Sequence, residues 1–124
     1  MAKNDYHVIV YQVLSYLYAC LKEGKDPSAE KLRAIALKAE LNDRYWHYIL
    51  KSLVDYHLID GCIVVEIDNT FARVQGLDGA FITPTGIEYL TDNAFMEKAK
   101  RFLKDAKDII PFIQGPLRRA FPLP

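Results

Sequence analysis

The sequence contains little cysteine and has no excess of positive or negative charge. Only two of the 124 residues are cysteine, and they form no CxxC pair, which argues against a zinc ribbon or a secreted disulfide scaffold. The 16 basic residues balance the 16 acidic ones, so bulk charge does not favour nucleic acid. The apolar stretch at 8–21 is interrupted by polar residues and is too short to cross a bilayer. Without a signal-peptide pattern either, the sequence predicts a cytoplasmic protein with no membrane partner.

Motifs that carry catalytic or metal chemistry are also missing. No nucleophile motif or phosphate-binding loop is present, and His7, His47 and His57 do not have the spacing of a zinc site. We therefore predict that the protein is not an enzyme and that it holds neither a metal ion nor a cofactor. What is present is a composition of 51% hydrophobic and 26% charged residues, which is typical of one globular domain.

Apolar residues at helical spacing predict three helices in the first half of the chain. The first ends near Glu23, the second is short and opens at Asp26-Pro27-Ser28, and the third covers about Asp43 to Tyr56. In the first helix a single buried stripe is expected, running from Val10 to Leu21. The residues that can cap these helices are Asn4 or Asp5, then Asp26 or Ser28 with Pro27 at the first helical position, and then Asn42.

The second half of the chain changes to β-rich segments before it becomes helical again. The predicted elements are strands at 62–67, 71–74 and 81–82 with a turn at 68–70, a helix that opens at Thr83-Pro84, and an amphipathic helix over about 94–110. The last segment, 111–124, contains four prolines, which exclude a long helix or a central strand. We divide the chain into a domain at 1–110 and a proline-rich tail at 111–124.

This order of elements is that of a winged helix. The second and third helices form the helix-turn-helix, and the strands after them form the wing. The predicted fold class is α+β and mostly helical: a winged helix-turn-helix with an extra C-terminal amphipathic helix. No internal repeat competes with this interpretation.

Several stretches make the pattern similar to one family in particular. They are the tyrosine-rich first helix, Leu21-Lys22-Glu23-Gly24-Lys25, Tyr45-Trp46 at the start of the third helix, and Ile82-Thr83-Pro84-Thr85-Gly86-Ile87-Glu88-Tyr89-Leu90. Over about Tyr6 to Ile110 the chain resembles the YjcQ family of small bacterial and prophage-encoded winged-helix proteins. The resemblance implies the fold and carries no assigned activity.

A winged helix suggests DNA as the first candidate partner. The residues predicted to contact a duplex are Arg44, Tyr45, His47, Tyr48 and Lys51 on the third helix, and Arg73 on the wing. The charge distribution opposes this hypothesis, because residues 62–96 contain one basic residue against five acidic ones. An acidic wing is repelled by phosphate. Residues 97–124 hold seven basic and three acidic residues. The cations of the last helix are expected to form a solvated face, a helix that contacts phosphate or a homodimer interface: Lys98, Lys100, Arg101, Lys104 and Lys107.

A protein partner is the second candidate. Tyr11 and Tyr18 fall away from the apolar stripe of the first helix, so they either pack under the last helix or form an exposed patch for a partner.

The leading prediction from the winged-helix order is a DNA-binding transcriptional regulator, of phage derivation. The alternative is a winged-helix protein-interaction module that does not bind DNA.

Overall fold

A computed structural model of the chain describes residues 1–105. Its helices are α1 (Tyr6–Glu23), α2 (Ala29–Lys38), α3 (Asp43–Asp55), α4 (Pro84–Asp92) and α5 (Ala94–Asp105). Its strands are β1 (Ile59–Asp60), β2 (Ile63–Asp68), β3 (Phe71–Gln75) and β4 (Phe81–Ile82). The antiparallel hairpin β2–β3 follows α3 as a wing, while β1 and β4 pair separately. This is the mostly helical α+β winged helix that the element order predicts.

Helix α1 is the central element of the fold. Every residue from Val8 to Leu17 is buried, including the polar Gln12 and Ser15. The expectation of a single buried stripe was therefore wrong. The other four helices and β4 all pack against α1, so its whole circumference in this segment faces protein.

The caps explain where most helices begin. The side chain of Asn42 accepts a hydrogen bond from the backbone N–H of Tyr45 at 2.8 Å, and that of Thr83 accepts from Gly86 at 3.0 Å, with Pro84 in the first turn. Helix α2 begins at Ala29 with Ser28 as its cap, so Pro27 precedes the helix instead of opening it. Asp5 occupies the cap position of α1, but its carboxylate accepts from the N–H of Ala2 and makes no capping bond.

Two helices are followed by a left-handed residue that is not glycine. Glu40 follows α2 with a φ of 59°, and His57 follows α3 with a φ of 60°. Both lie in the left-handed region, where side chains are strained. A backbone hydrogen bond closes each of these helix ends. The N–H of Leu41 donates to the carbonyl oxygen of Ala36, and the N–H of Leu58 donates to that of Leu53, both at 2.9 Å. The short connection from α2 to α3 therefore forms without the glycine that such turns favour.

Close backbone contact fixes α4 against the end of α3. A Cβ atom added to Gly86 would lie 2.1 Å from the carbonyl oxygen of Leu58. The same carbonyl accepts a hydrogen bond from the N–H of Thr83 at 3.0 Å. Only glycine fits this position, so α4 and its Tyr89 are held beside Leu58.

Helix α5 is described as far as Asp105, so the predicted continuation to Ile110 and the predicted tail at 111–124 lie outside the described residues. Its apolar face buries Met96, Ala99 and Leu103 against α1 and α4. Of the five cations predicted for its solvated face, Lys107 lies outside the described residues. The other four are exposed: Lys98, Lys100, Arg101 and Lys104. Among the helices of residues 1–105, none has the length and apolarity that a bilayer span requires.

Candidate functional site: two grooves beside helix α3

Helix α3, the recognition helix of a winged-helix fold, separates two grooves on the surface. We call the groove towards the wing the hairpin groove and the groove towards α1 and α4 the tyrosine cleft. Tyr48, Ser52 and Tyr56 line both of them. The hairpin groove has a volume of about 520 Å³ and the tyrosine cleft about 680 Å³. Both volumes lie in the range of about 300–1,000 Å³ that is typical of ligand sites.

Two of the six residues predicted to contact DNA, Tyr48 and Lys51, line the hairpin groove. Arg44, Tyr48 and Lys51 lie on one face of α3, as the helical spacing requires. Arg44 donates to the carbonyl oxygen of Thr70 at the tip of the wing, at 3.2 Å, and its guanidinium lies 5.1 Å from the ring centre of Phe71. The wing therefore contacts Arg44, the side chain that would have to reach a phosphate or a base if α3 bound DNA.

The other cations of this side are paired with acids of the same chain. Lys51 contacts the carboxylate of Asp55 at 2.7 Å, one turn further along α3. Arg73 on β3 contacts the carboxylate of Asp43 at 2.6 Å. Glu66 also lines the groove. Each cation on this side is thus matched by a nearby carboxylate or engaged by the wing, and little positive charge is left for phosphate.

His47 is not on the surface. It is only 8% exposed, and its Nδ1 accepts a hydrogen bond from the backbone N–H of Val74 at 3.0 Å. The prediction that His47 faces DNA does not fit this position, because the ring connects α3 to β3. Burial lowers the pKa of His47, partly offset by Asp43, whose carboxylate lies 3.5 Å from Nε2. The ring therefore stays neutral in the fold at neutral pH.

The tyrosine cleft lies on the opposite side of α3 and is aromatic. Its walls come from the start of α1, the outward face of α3 and the middle of α4. The residues that line it are Tyr6, His7, Tyr45, Tyr48, Ser52, Tyr56, Leu58 and Tyr89. None of them is a lysine, an arginine or a carboxylate. The exposed fractions of Tyr48 and Tyr56 are 66% and 69%, so two large rings face solvent at its edge.

Hydrogen bonds fix the inner tyrosines of this cleft. The hydroxyl of Tyr6 donates to the Oγ of Ser52 at 2.7 Å, since that Oγ itself donates to the carbonyl of Ile49. Tyr45, one of the predicted DNA contacts, donates instead to the carbonyl oxygen of Asn4 at 2.9 Å. Burial raises the pKa values of Tyr6, Tyr45 and Tyr89. The floor of the cleft is therefore made of partly buried tyrosines, two of which are held by hydrogen bonds.

A ring stack closes the end of the cleft at α1. The imidazole of His7 lies parallel to the ring of Phe95 on α5, with ring centres 4.4 Å apart. Burial lowers the pKa of His7, with Asp5 acting in the opposite direction. His7 is therefore neutral near pH 7, and the lining of the cleft is uncharged.

The two tyrosines that were predicted to meet a partner lie elsewhere on α1. Tyr11 is only 9% exposed, so it belongs to the core, and Glu97 of α5 lies close enough to influence its pKa. Tyr18 is half-buried, with the ammonium of Lys22 4.4 Å from its ring centre. Neither lines the tyrosine cleft. The packing of Tyr11 agrees with the first of the two interpretations, in which α5 lies beside it.

Sequence reasoning overlooked the cleft residues. From the sequence alone, no binding role is predicted for Tyr6, Tyr56 or Tyr89. No local sequence pattern distinguishes these tyrosines, because the cleft forms only when three elements distant in sequence meet.

Both cysteines of the chain, Cys20 and Cys62, are half-buried free thiols whose pKa values are raised by burial. No three metal-ligating side chains gather anywhere in residues 1–105.

The helix-turn-helix, the β2–β3 wing and the two grooves along α3 define a winged-helix protein. The chain belongs to the YjcQ family: the family model described as YjcQ protein matches residues 11–109. Searches among curated proteins and among solved structures returned no significant match.

Proposed function

We propose that this protein is a winged-helix interaction module that binds a segment of a partner protein in the tyrosine cleft. The observation that carries the proposal is the contrast across α3. The tyrosine cleft is open, aromatic and uncharged, whereas the cations on the wing side of α3 contact groups of their own chain. Tyrosine is enriched at protein interfaces because it supplies a large rigid surface together with a polar tip. The role is one of binding, and it requires no catalytic group.

Selection of peptides from a phage-displayed library tests this proposal even though the partner is unidentified. Peptides selected on the full chain should lose about tenfold or more in affinity for the Tyr56→Ser variant, the loss expected for an aromatic anchor. Leu37→Ser is the matched control, since Leu37 is 67% exposed and lies on α2, outside the cleft. Selected peptides that bind both variants equally well would contradict the proposal.

Recognition of duplex DNA by α3 is the second candidate, favoured by the shared face of Arg44, Tyr48 and Lys51 on the recognition helix. Fluorescence anisotropy with a generic duplex, at about 50 mM and about 200 mM salt, measures it directly. Affinity that falls steeply with salt and is reduced in Arg44→Ala and Lys51→Ala would favour DNA over the partner protein. We expect no such binding, because neutralising phosphates requires cations in excess of the neighbouring carboxylates.

A cytoplasmic location is part of the proposal. Cys20 and Cys62 are both free, which suits a reducing compartment. The expected homodimer stays a prediction, which sedimentation of the full chain would test.

A further inference from the structure

The chemistry of the tyrosine cleft is specific enough to suggest which peptides fit it. We infer that the cleft binds a proline-rich segment that carries arginine, in the extended polyproline II conformation. This inference rests on the proposed function, since it names the class of partner segment for that same site. The observations that carry it are the rings, the free hydroxyls and the acidic residue at the end of the cleft.

The rings suit proline because they offer flat apolar surfaces that need no charge. Proline-rich segments recurrently bind in grooves lined by aromatic rings, and they lose little entropy on binding because their conformation is preformed. The wall at α4 contributes Tyr89, and the wall at α3 contributes Tyr48 and Tyr56. An acidic segment would instead be desolvated against these rings without any cation of the lining to compensate it.

The free hydroxyls suit the backbone of such a segment. A polyproline II chain has no internal hydrogen bonds, so its carbonyl oxygens need external donors. Within residues 1–105, the hydroxyls of Tyr48 and Tyr56 donate to no protein group, unlike those of Tyr6 and Tyr45. Two exposed donors, Tyr48 in α3 and Tyr56 at its C-terminal cap, about two turns apart, are thus available to the carbonyls of a bound segment.

The charges favour a basic segment over an acidic one. The lining carries no cation, because His7 is the only titratable base and is neutral. Asp5 directly precedes Tyr6 and His7 of the lining, and its carboxylate accepts a hydrogen bond from the backbone N–H of Ala2 at 2.8 Å. A carboxylate therefore lies next to the α1 end of the cleft. An arginine can pair with such a carboxylate.

The chain itself contains a sequence of this class. Residues 111–124 combine four prolines with Arg118 and Arg119, and they read Pro-Phe-Ile-Gln-Gly-Pro-Leu-Arg-Arg-Ala-Phe-Pro-Leu-Pro. A synthetic peptide with this sequence is therefore the natural probe.

The test is a titration of the full chain, labelled with ¹³C on its tyrosine rings, with this peptide. The protein is used in two forms, the natural chain and a variant in which the four prolines of 111–124 are replaced by alanine, so that its own segment does not compete. The expected result is saturable shifts of the signals from Tyr48, Tyr56 and Tyr89 in at least one form, with Tyr18 unchanged. A peptide with alanine in place of its prolines should bind about tenfold more weakly or worse, and Tyr56→Ser should cause a similar loss.

Two results would overturn the inference. If the peptide without prolines binds as well as the natural one, the ligand class is wrong, although the cleft still binds a protein segment. If neither form of the protein shows saturable shifts, the cleft does not take proline-rich segments of this kind. The proposed function fails separately, when library selection returns no peptide that depends on Tyr56.

Discussion

The two sides of helix α3 differ in whether their side chains are engaged by groups of the same chain or remain available to a partner. On the hairpin side, Arg44 is held by the wing, and Lys51 and Arg73 are held by carboxylates. On the other side, Tyr6, Tyr45 and Tyr89 line the tyrosine cleft alone. The rings of Tyr48 and Tyr56, which are more than half exposed, lie on the edge that the two grooves share. A residue type that suggests a function in sequence supports that function only if the fold leaves it unpaired. The comparison therefore moves the candidate site from the cations to the tyrosines.

The largest expected effect comes from breaking the α4 wall of the tyrosine cleft. In Gly86→Ala the new Cβ would lie 2.1 Å from the carbonyl oxygen of Leu58 and 2.7 Å from Ile82, so the backbone must shift. We expect the free energy of unfolding to fall by about 3 kcal/mol, in the range of severe core substitutions. Urea denaturation measures this change.

Gly24→Ala is the control for this substitution. Gly24 has a φ of 69°, but nothing lies within 4 Å of an added Cβ. Its loss should be limited to the strain of a left-handed residue, about 1 kcal/mol. Equal losses in the two variants would show that α4 is not held by close contact at Gly86.

The next largest effect concerns the hairpin side. His47→Leu removes the acceptor of the Val74 N–H and leaves a buried donor unsatisfied. This should lower the free energy of unfolding by about 1–3 kcal/mol. Tyr48→Ala, one residue further along α3 but exposed, should change it by no more than about 0.5 kcal/mol. If His47→Leu left the free energy of unfolding unchanged, the wing would not depend on this contact.

The pH dependence of stability tests the same histidine. Burial lowers the folded-state pKa of both His47 and His7 below the ordinary value of 6.5, so the unfolded chain binds more protons in this window. The stability contributed by the neutral rings is complete above pH 6.5 and is lost as the pH falls below that value. Urea unfolding should therefore show a less stable protein at about pH 5.5 than at about pH 7.5.

The variant series checks that assignment. In His47→Leu the loss of stability between these pH values should be smaller than in the natural protein, because one of the two depressed histidines is gone. The carboxylates whose pKa values are lowered, Asp68 and Glu40, titrate below this window. An unchanged pH dependence would assign the effect to other groups.

The smallest effect is expected for the ion pair that links the wing to α3. Arg73 and Asp43 are joined at 2.6 Å, but their side chains are 42% and 49% exposed. A double-mutant cycle with alanine at both positions should give a coupling energy of about 0.5 kcal/mol or less. A coupling several times larger would make this pair, and not His47, the main connection of the wing to the recognition helix.

Local patterns predicted the elements well and their environment less well. Asn42, Thr83 and Pro84 act within a few residues of themselves, so their caps and the helix starts could be predicted from sequence. Burial depends on what packs from elsewhere: His47 meets β3, 27 residues away in sequence, at Val74. The same reason conceals the tyrosine cleft, whose walls are separated by long stretches of chain.

The most direct test of the central claim compares the two sides of α3 in one binding measurement. A peptide selected on the full chain is titrated against Tyr89→Ser, which lines the tyrosine cleft and not the hairpin groove, and against Arg44→Ala, on the hairpin side. The account predicts an affinity loss of about tenfold or more for Tyr89→Ser and less than about twofold for Arg44→Ala. The reverse order of losses would contradict it and return the site to the face that the sequence predicts to contact DNA.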